Sequence, residues 1–143
     1  MTVSDEAVWF EHRTRVRFQD VDAAGIVFFA RVFDLFHDAY VEALRAGGVE
    51  LSAVLAAKVW AAPLTSCDAQ FRRPLRFGDE ITVELRAELV ERDLIVRYRV
   101  RPSSDGAVTL ATGSTTHAFV DRATFARVDP PAEVRAALAH RPS

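Results

Sequence analysis

Residues 10 to 18 alternate, with Phe10, His12, Thr14, Val16 and Phe18 set against Glu11, Arg13, Arg15 and Arg17, and a period of two predicts a half-buried strand. After a turn at QDVDAAG the period changes. From about Phe29 to Arg45 the apolar positions fall at Phe29, Val32, Phe33, Phe36, Tyr40, Val41 and Leu44, the spacing of a helix with a broad apolar stripe. Ala46, Gly47 and Gly48 end it, since glycine closes a helix in a left-handed conformation. ELSAVLAAK predicts a short second helix with Ser52 near its start. Beyond Pro63 the period of two returns in TSCDAQFRR and, after a turn at PLRFGDE, in ITVELRAELVE, where Ile81, Val83, Leu85, Ala87 and Leu89 share a face. In RDLIVRYRVR, Leu94, Val96, Tyr98 and Val100 oppose Ile95, Arg97, Arg99 and Arg101. SSDG at 103–106 marks a hairpin, and AVTLATGSTTHAFVD reads as one last long strand. DPPAEVRAALAH predicts a terminal helix capped by Asp129, with proline in its first turn.

One strand, one long helix, four strands and a small tail helix are segregated elements, which favour α+β over an alternating βαβ order. An antiparallel sheet wrapped around one buried helix satisfies both patterns. The 143 residues fit a single domain, 1–143, that buries roughly 70% of its unfolded surface.

Composition narrows the function. Eighteen basic residues face 20 acidic ones for a formal net charge of -2, without the basic excess of a general nucleic-acid binder. Seventeen of the basic residues are arginines, alternating with apolar residues in RVRF and VRYRVR as on a solvated strand face. No apolar run approaches the ~20 residues of a membrane span. The single cysteine, Cys67, closes no intrachain disulfide, and MTVSDEAVWFEHR lacks a signal peptide's basic start and apolar core, so the expected location is cytoplasmic.

Asp20 and Asp22, two residues apart before the helix, admit three readings. As a calcium loop counted from Asp20, the segment lacks ligands where Ala24 and Arg31 stand. The histidines 12, 37, 117 and 140 show no metal-binding spacing either, so no metal site is expected. The carboxylates can instead cap a turn built on Gly25. Alternatively, one of them is a nucleophile or general base beside amides of the helix start that stabilise charge on a carbonyl.

FQDVDAAGIVFF resembles the signature of the 4-hydroxybenzoyl-CoA thioesterase branch of the hotdog-fold thioesterases, an acid-x-acid-x-x-Gly-[Ile/Val]-Val segment before the long helix. PLTSCDAQFRRPLRFGDEITV is similar to that family's later strand pair around its Pro-x-x-x-Gly-Asp turn. The resemblance implies a hotdog fold in dimers and usually tetramers, with active sites at the dimer interface. It implies hydrolysis of an acyl-CoA to the free acid and CoA with no cofactor beyond the substrate's own CoA. Asp22 would be catalytic and Asp20 structural, and the Phe29 backbone N–H would polarise the carbonyl. Gly25, Val27, Pro63 and Ser66 carry over as substrate-binding positions.

FFARVFDLFHDAYVEAL is most similar to members acting on 1,4-dihydroxy-2-naphthoyl-CoA, which carry a similar His-acid-Ala-Tyr run, here His37 to Tyr40. Phe28 and Phe29 replace the Tyr-His pair of the Tol-Pal-associated short-chain enzymes. His37 either hydrogen-bonds a ring hydroxyl of the substrate or is a satisfied histidine buried on the inner stripe. Where the hydroxybenzoyl enzymes have a basic run for the CoA phosphates, this chain has Glu91, Arg92 and Asp93, so Arg92 is the surviving contact and Arg72, Arg73, Arg76 and Lys58 are alternatives. Other readings stay open: a short-chain acyl-CoA thioesterase, a hotdog hydratase or dehydratase, and a non-catalytic acyl-CoA-binding module.

Overall fold

The computed structural model describes residues 7–140. In chain order the elements are β1 (Phe10–Arg15), helix α1 (Val32–Ala46) entered through a 3-10 turn at Phe29–Arg31, α2 (Leu51–Ala57), β2 (Trp60–Ala61), β3 (Leu64–Phe71), β4 (Glu80–Val90), β5 (Asp93–Pro102), β6 (Ala111–His117), β7 (Val120–Asp121) and α3 (Ala132–Ala139). Five strands form one antiparallel sheet in the order β1-β4-β5-β6-β3, and β2 pairs with β7 in a separate ribbon. With one long helix packed on the sheet, the architecture is the expected α+β hotdog.

The stripe of α1 meets the inner sheet face. Val32, Leu35, Phe36, Ala39, Tyr40, Ala43 and Leu44 are buried, and so are Ile81, Val83 and Leu85 of β4 and Leu94, Val96, Tyr98 and Val100 of β5. Each large side chain so buried contributes about 1.5–3 kcal/mol of transfer free energy. Two ring stacks lock the helix to the sheet: Phe36 on Tyr98, with centroids 4.4 Å apart, and Tyr40 on His117 at 4.7 Å. Tyr98 lies opposite Gly113 in the β5–β6 register, and a side chain at Gly113 would strike Phe36 Cε2 at 2.5 Å. Glycine there makes room for the first stack.

Several expectations need correction. The last long strand divides, because His117, Ala118, Phe119 and Val120 are all buried and break the alternation; β6 stops at His117 and the chain leaves the sheet to pair with β2. The β5–β6 connection is longer than a tight hairpin and is braced by Arg99, which donates to Gly106 O at 2.6 Å and Thr109 Oγ1 at 2.8 Å. Asp129 does not cap the tail helix; Pro131 holds the N-cap position and Asp129 pairs with Arg92 at 3.0 Å. Nor is the arginine face merely solvated. Glu84, only 7% exposed, takes ion pairs from Arg86, Arg99 and Arg101 at 3.3, 3.0 and 2.7 Å. Burial alone would raise the Glu84 carboxyl, but these arginines hold it below its ordinary range.

Candidate active site

The segment between β1 and α1 is built around Asp20. Its carboxylate is fully buried and accepts hydrogen bonds from Arg17 N, Nε and Nη2 at 2.9, 3.2 and 3.0 Å. Burial by itself raises this carboxyl, and the hydrogen bonds and charge of Arg17 more than offset that, keeping it below the usual carboxylate range. Its carbonyl accepts from Phe28 N at 2.9 Å, tying the loop to the helix start. A second set of bonds pins the loop to the β3–β4 connection: Val16 N to Asp79 O, Gly78 N to Val16 O, Val27 N to Leu75 O and Phe77 N to Gly25 O. Gly25, with φ of +77°, supplies the left-handed residue that this turn requires.

Asp22 occupies the exposed tip. Its Oδ1 accepts from Ala24 N at 2.8 Å, and among the described residues Oδ2 has no hydrogen-bond partner. Phe29 begins the 3-10 turn that continues into α1, where a first-turn N–H has no intrahelical acceptor. Val27 and Phe29 line a cavity of about 330 Å³ with Ile26, Phe71, Arg72 and Arg73.

His37 is exposed, which overturns the buried-histidine reading. It lines a second cavity, about 710 Å³, whose wall includes Phe33, Tyr40, Trp60, Leu64, Cys67 and His117. Pro63 lies just before β3, where its carbonyl accepts from Ala118 N at 3.0 Å, and Ser66 is an exposed residue on β3 opposite Thr116. Arg92 stands in the β4–β5 turn but is engaged by Asp129 and by Arg127 O at 2.8 Å, while Arg127 pairs with Asp93. Thus Val27 and Phe29 share one cavity, His37 lines the other, and Arg92 lies apart in an ion-pair network. Sequence reasoning missed Tyr40, Trp60, Thr115 and His117 as cavity residues, because Tyr40 reads only as part of the helix's apolar stripe and the convergence of the other three on it depends on the fold.

An antiparallel sheet curled on one helix, with a free carboxylate at the loop leading into that helix, defines a hotdog-fold protein of the acyl-thioesterase type. The profile of the thioesterase-like superfamily matches residues 16–138, and the chain belongs to that superfamily. A 1,4-dihydroxy-2-naphthoyl-CoA hydrolase of Trichodesmium erythraeum is 35% identical over 78% of this chain and 81% of its own length. In fold, a 1,4-dihydroxy-2-naphthoyl-CoA thioesterase from Synechocystis superposes with a TM-score of 0.85 at 23% identity, covering 91% of this chain and 95% of that one. A gentisyl-coenzyme A thioesterase superposes with a TM-score of 0.78 at 25% identity, covering 88% and 99%.

Proposed function

We propose that the protein hydrolyses an aromatic, hydroxylated acyl-CoA to the free acid and CoA. The observation carrying this reading is the Asp22 carboxylate, anchored through Oδ1 by Ala24 N and open at Oδ2, on the loop that delivers the Phe29 amide. Asp22 either attacks the carbonyl to give a mixed anhydride that water then opens, or takes a proton from the attacking water. The Phe29 N–H holds the oxyanion, an effect of about 3–4 kcal/mol for one well-placed donor. Collapse breaks the C–S bond and releases the CoA thiolate, which is protonated; only the thioester and water are consumed. The Trichodesmium hydrolase and the gentisyl-coenzyme A thioesterase are named for CoA esters of hydroxylated aromatic acids, which supports the acyl class.

The site is completed by a second copy of the chain. β3 is an open sheet edge, with Leu64 52% and Phe71 50% exposed, and unpaired edges of this kind invite pairing. Antiparallel pairing of two β3 strands about a two-fold axis carries the Phe71 end of one to the Leu64 end of the other. The Phe29 cavity of one protomer then meets the His37 cavity of its partner. The family resemblance extends this dimer to a dimer of dimers. In this reading Arg72 and Arg73, which line the Phe29 cavity, take the CoA phosphates, and Arg92 joins them only by leaving Asp129. A cytoplasmic location goes with this reading, since Cys67 is a free, exposed thiol of the kind a reducing compartment preserves. Among the described residues no helix is long and apolar enough to cross a membrane.

The test is thiol release from hydroxybenzoyl-, dihydroxynaphthoyl-, benzoyl- and short alkyl-CoA, with Asp22→Asn alongside. The amide keeps the bond to Ala24 N and removes the charge, so the melting temperature holds while kcat falls by about 10²–10⁴. Near-normal turnover by the variant would sink the role of Asp22, and water loss or binding without thiol release would sink hydrolysis.

A further inference from the structure

We propose that Tyr40 reads a hydroxyl or keto oxygen on the substrate's acyl ring, its phenol fixed in place by stacking on His117. This rests on the aromatic acyl class proposed above and names the side chain that selects within it.

Tyr40 lines the 710 Å³ cavity, is only 5% exposed and lies nearly parallel to the His117 ring, at 11°. Among the described residues its hydroxyl has no hydrogen-bond partner, yet it is not sealed from the cavity. The other polar groups of the wall are committed. His117 Nδ1 lies 3.4 Å from Ala62 O, which can only accept, so Nδ1 carries the proton. His117 Nε2 therefore accepts from the Thr115 hydroxyl at 3.0 Å, and Thr115 in turn accepts from the Tyr98 hydroxyl at 2.8 Å. Trp60 Nε1 donates to Glu133 at 2.7 Å, and Asp34 is paired with Arg31 at 2.9 Å.

What remains for a ligand is His37 on the exposed side, with its ring 5.9 Å from that of Tyr40, the exposed Cys67 thiol, which is only a weak donor, and the Tyr40 hydroxyl itself. Burial pushes the Tyr40 phenol far above its ordinary range and, with a smaller contribution from His37, pushes His117 down, so both are neutral near pH 7. A neutral phenol both donates and accepts. A site whose buried polar group is left unpaired by a ligand lacking the matching oxygen discriminates against that ligand. Phe33, Trp60 and the apolar side chains of α2 supply the surface for the ring, and the volume suits a bicyclic acid.

Tyr40→Phe keeps the ring and its stack and removes one oxygen. The probes are 1,4-dihydroxy-2-naphthoate and 2-naphthoate, titrated by calorimetry into the full-length protein. The wild type is expected to prefer the hydroxylated acid about tenfold or more, and the variant to bring the two within about threefold. The chain has two tyrosines, so ¹³Cζ-tyrosine labelling gives a second readout in the wild type: the Tyr40 resonance moves with the hydroxylated acid and not with naphthoate. Retention of the preference in Tyr40→Phe, equal weakening of both acids, no preference in the wild type, or no binding of either acid at millimolar concentration each overturns the proposal. Because binding of the acids needs no turnover, absence of thiol release with the preference intact rejects hydrolysis and leaves the role of Tyr40 standing.

Discussion

Replacing Asp20 with asparagine removes one buried charge and almost no volume. The amide oxygen in the place of Oδ2 can still accept from Arg17 N and Nε, but the Nη2 bond at 3.0 Å is lost, because the amide NH₂ in the place of Oδ1 sets donor against donor, and the bonds that remain lose the carboxylate charge. Hydrogen bonds to charged groups are worth about 1.5–3 kcal/mol each, and the Arg17 side chain is 49% exposed, which discounts the one lost bond and the lost charge to about 1–2 kcal/mol in all. For a chain of this size that is a fall of about 3–6 °C in melting temperature. The pH dependence has a definite sign. A carboxyl held below its unfolded value of about 3.9 contributes stability that is present above that value and lost as pH falls through the folded one. Calorimetric melting of both proteins should give a constant gap from pH 8 to about 5 that closes below about pH 4. A gap under about 2 °C at pH 7, or one that persists unchanged at pH 3, refutes the assignment of loop stability to this ion pair. Well below its melting temperature, Asp20→Asn should also keep kcat within about tenfold of wild type, where Asp22→Asn loses 10²–10⁴.

Two further outcomes test the packing and the CoA end of the site. Gly113→Ala places a methyl against Phe36 and the Asp68 carbonyl, neither free to move, so it should cost about 3 kcal/mol or more by chemical denaturation; a loss under 1 kcal/mol would show that the Phe36–Tyr98 stack is not close-packed at β6. Arg72→Glu with Arg73→Glu should raise KM for an aryl-CoA about tenfold and leave the corresponding N-acetylcysteamine thioester, which lacks phosphates, within about twofold, whereas Arg92→Ala should change KM less than the double variant does. Equal effects on both thioesters would remove the phosphates from those two arginines.

The elements that sequence periodicity located well are those whose burial depends on one partner surface. The stripe of α1 packs on the sheet, with α3 beside its end, and the buried residues from Val32 to Leu44 follow it. β6 failed as one long strand because the residues from His117 to Val120 are enclosed on more than one side, and alternation cannot signal that. The Tyr40–His117 stack was equally hidden: Tyr40 reads only as one position of the helix stripe, and its meeting with His117 depends on how α1 lies across β6, a relation between elements that local patterns do not encode. The acid-rich loop shows the same limit from the other side. QDVDAAG and PLRFGDE are far apart in sequence, and the second motif alone is weak. In the fold they form one device, since Gly25 O, Val27 N and Val16 are hydrogen-bonded to Phe77 N, Leu75 O, Asp79 O and Gly78 N. The later turn is therefore the clamp on the loop that presents Asp22, and each motif gains specificity from the other's presence. Asp20 and Asp22, alike by spacing, are separated by surroundings: one is buried under Arg17 to hold that loop, the other stands exposed at its tip with an oxygen free.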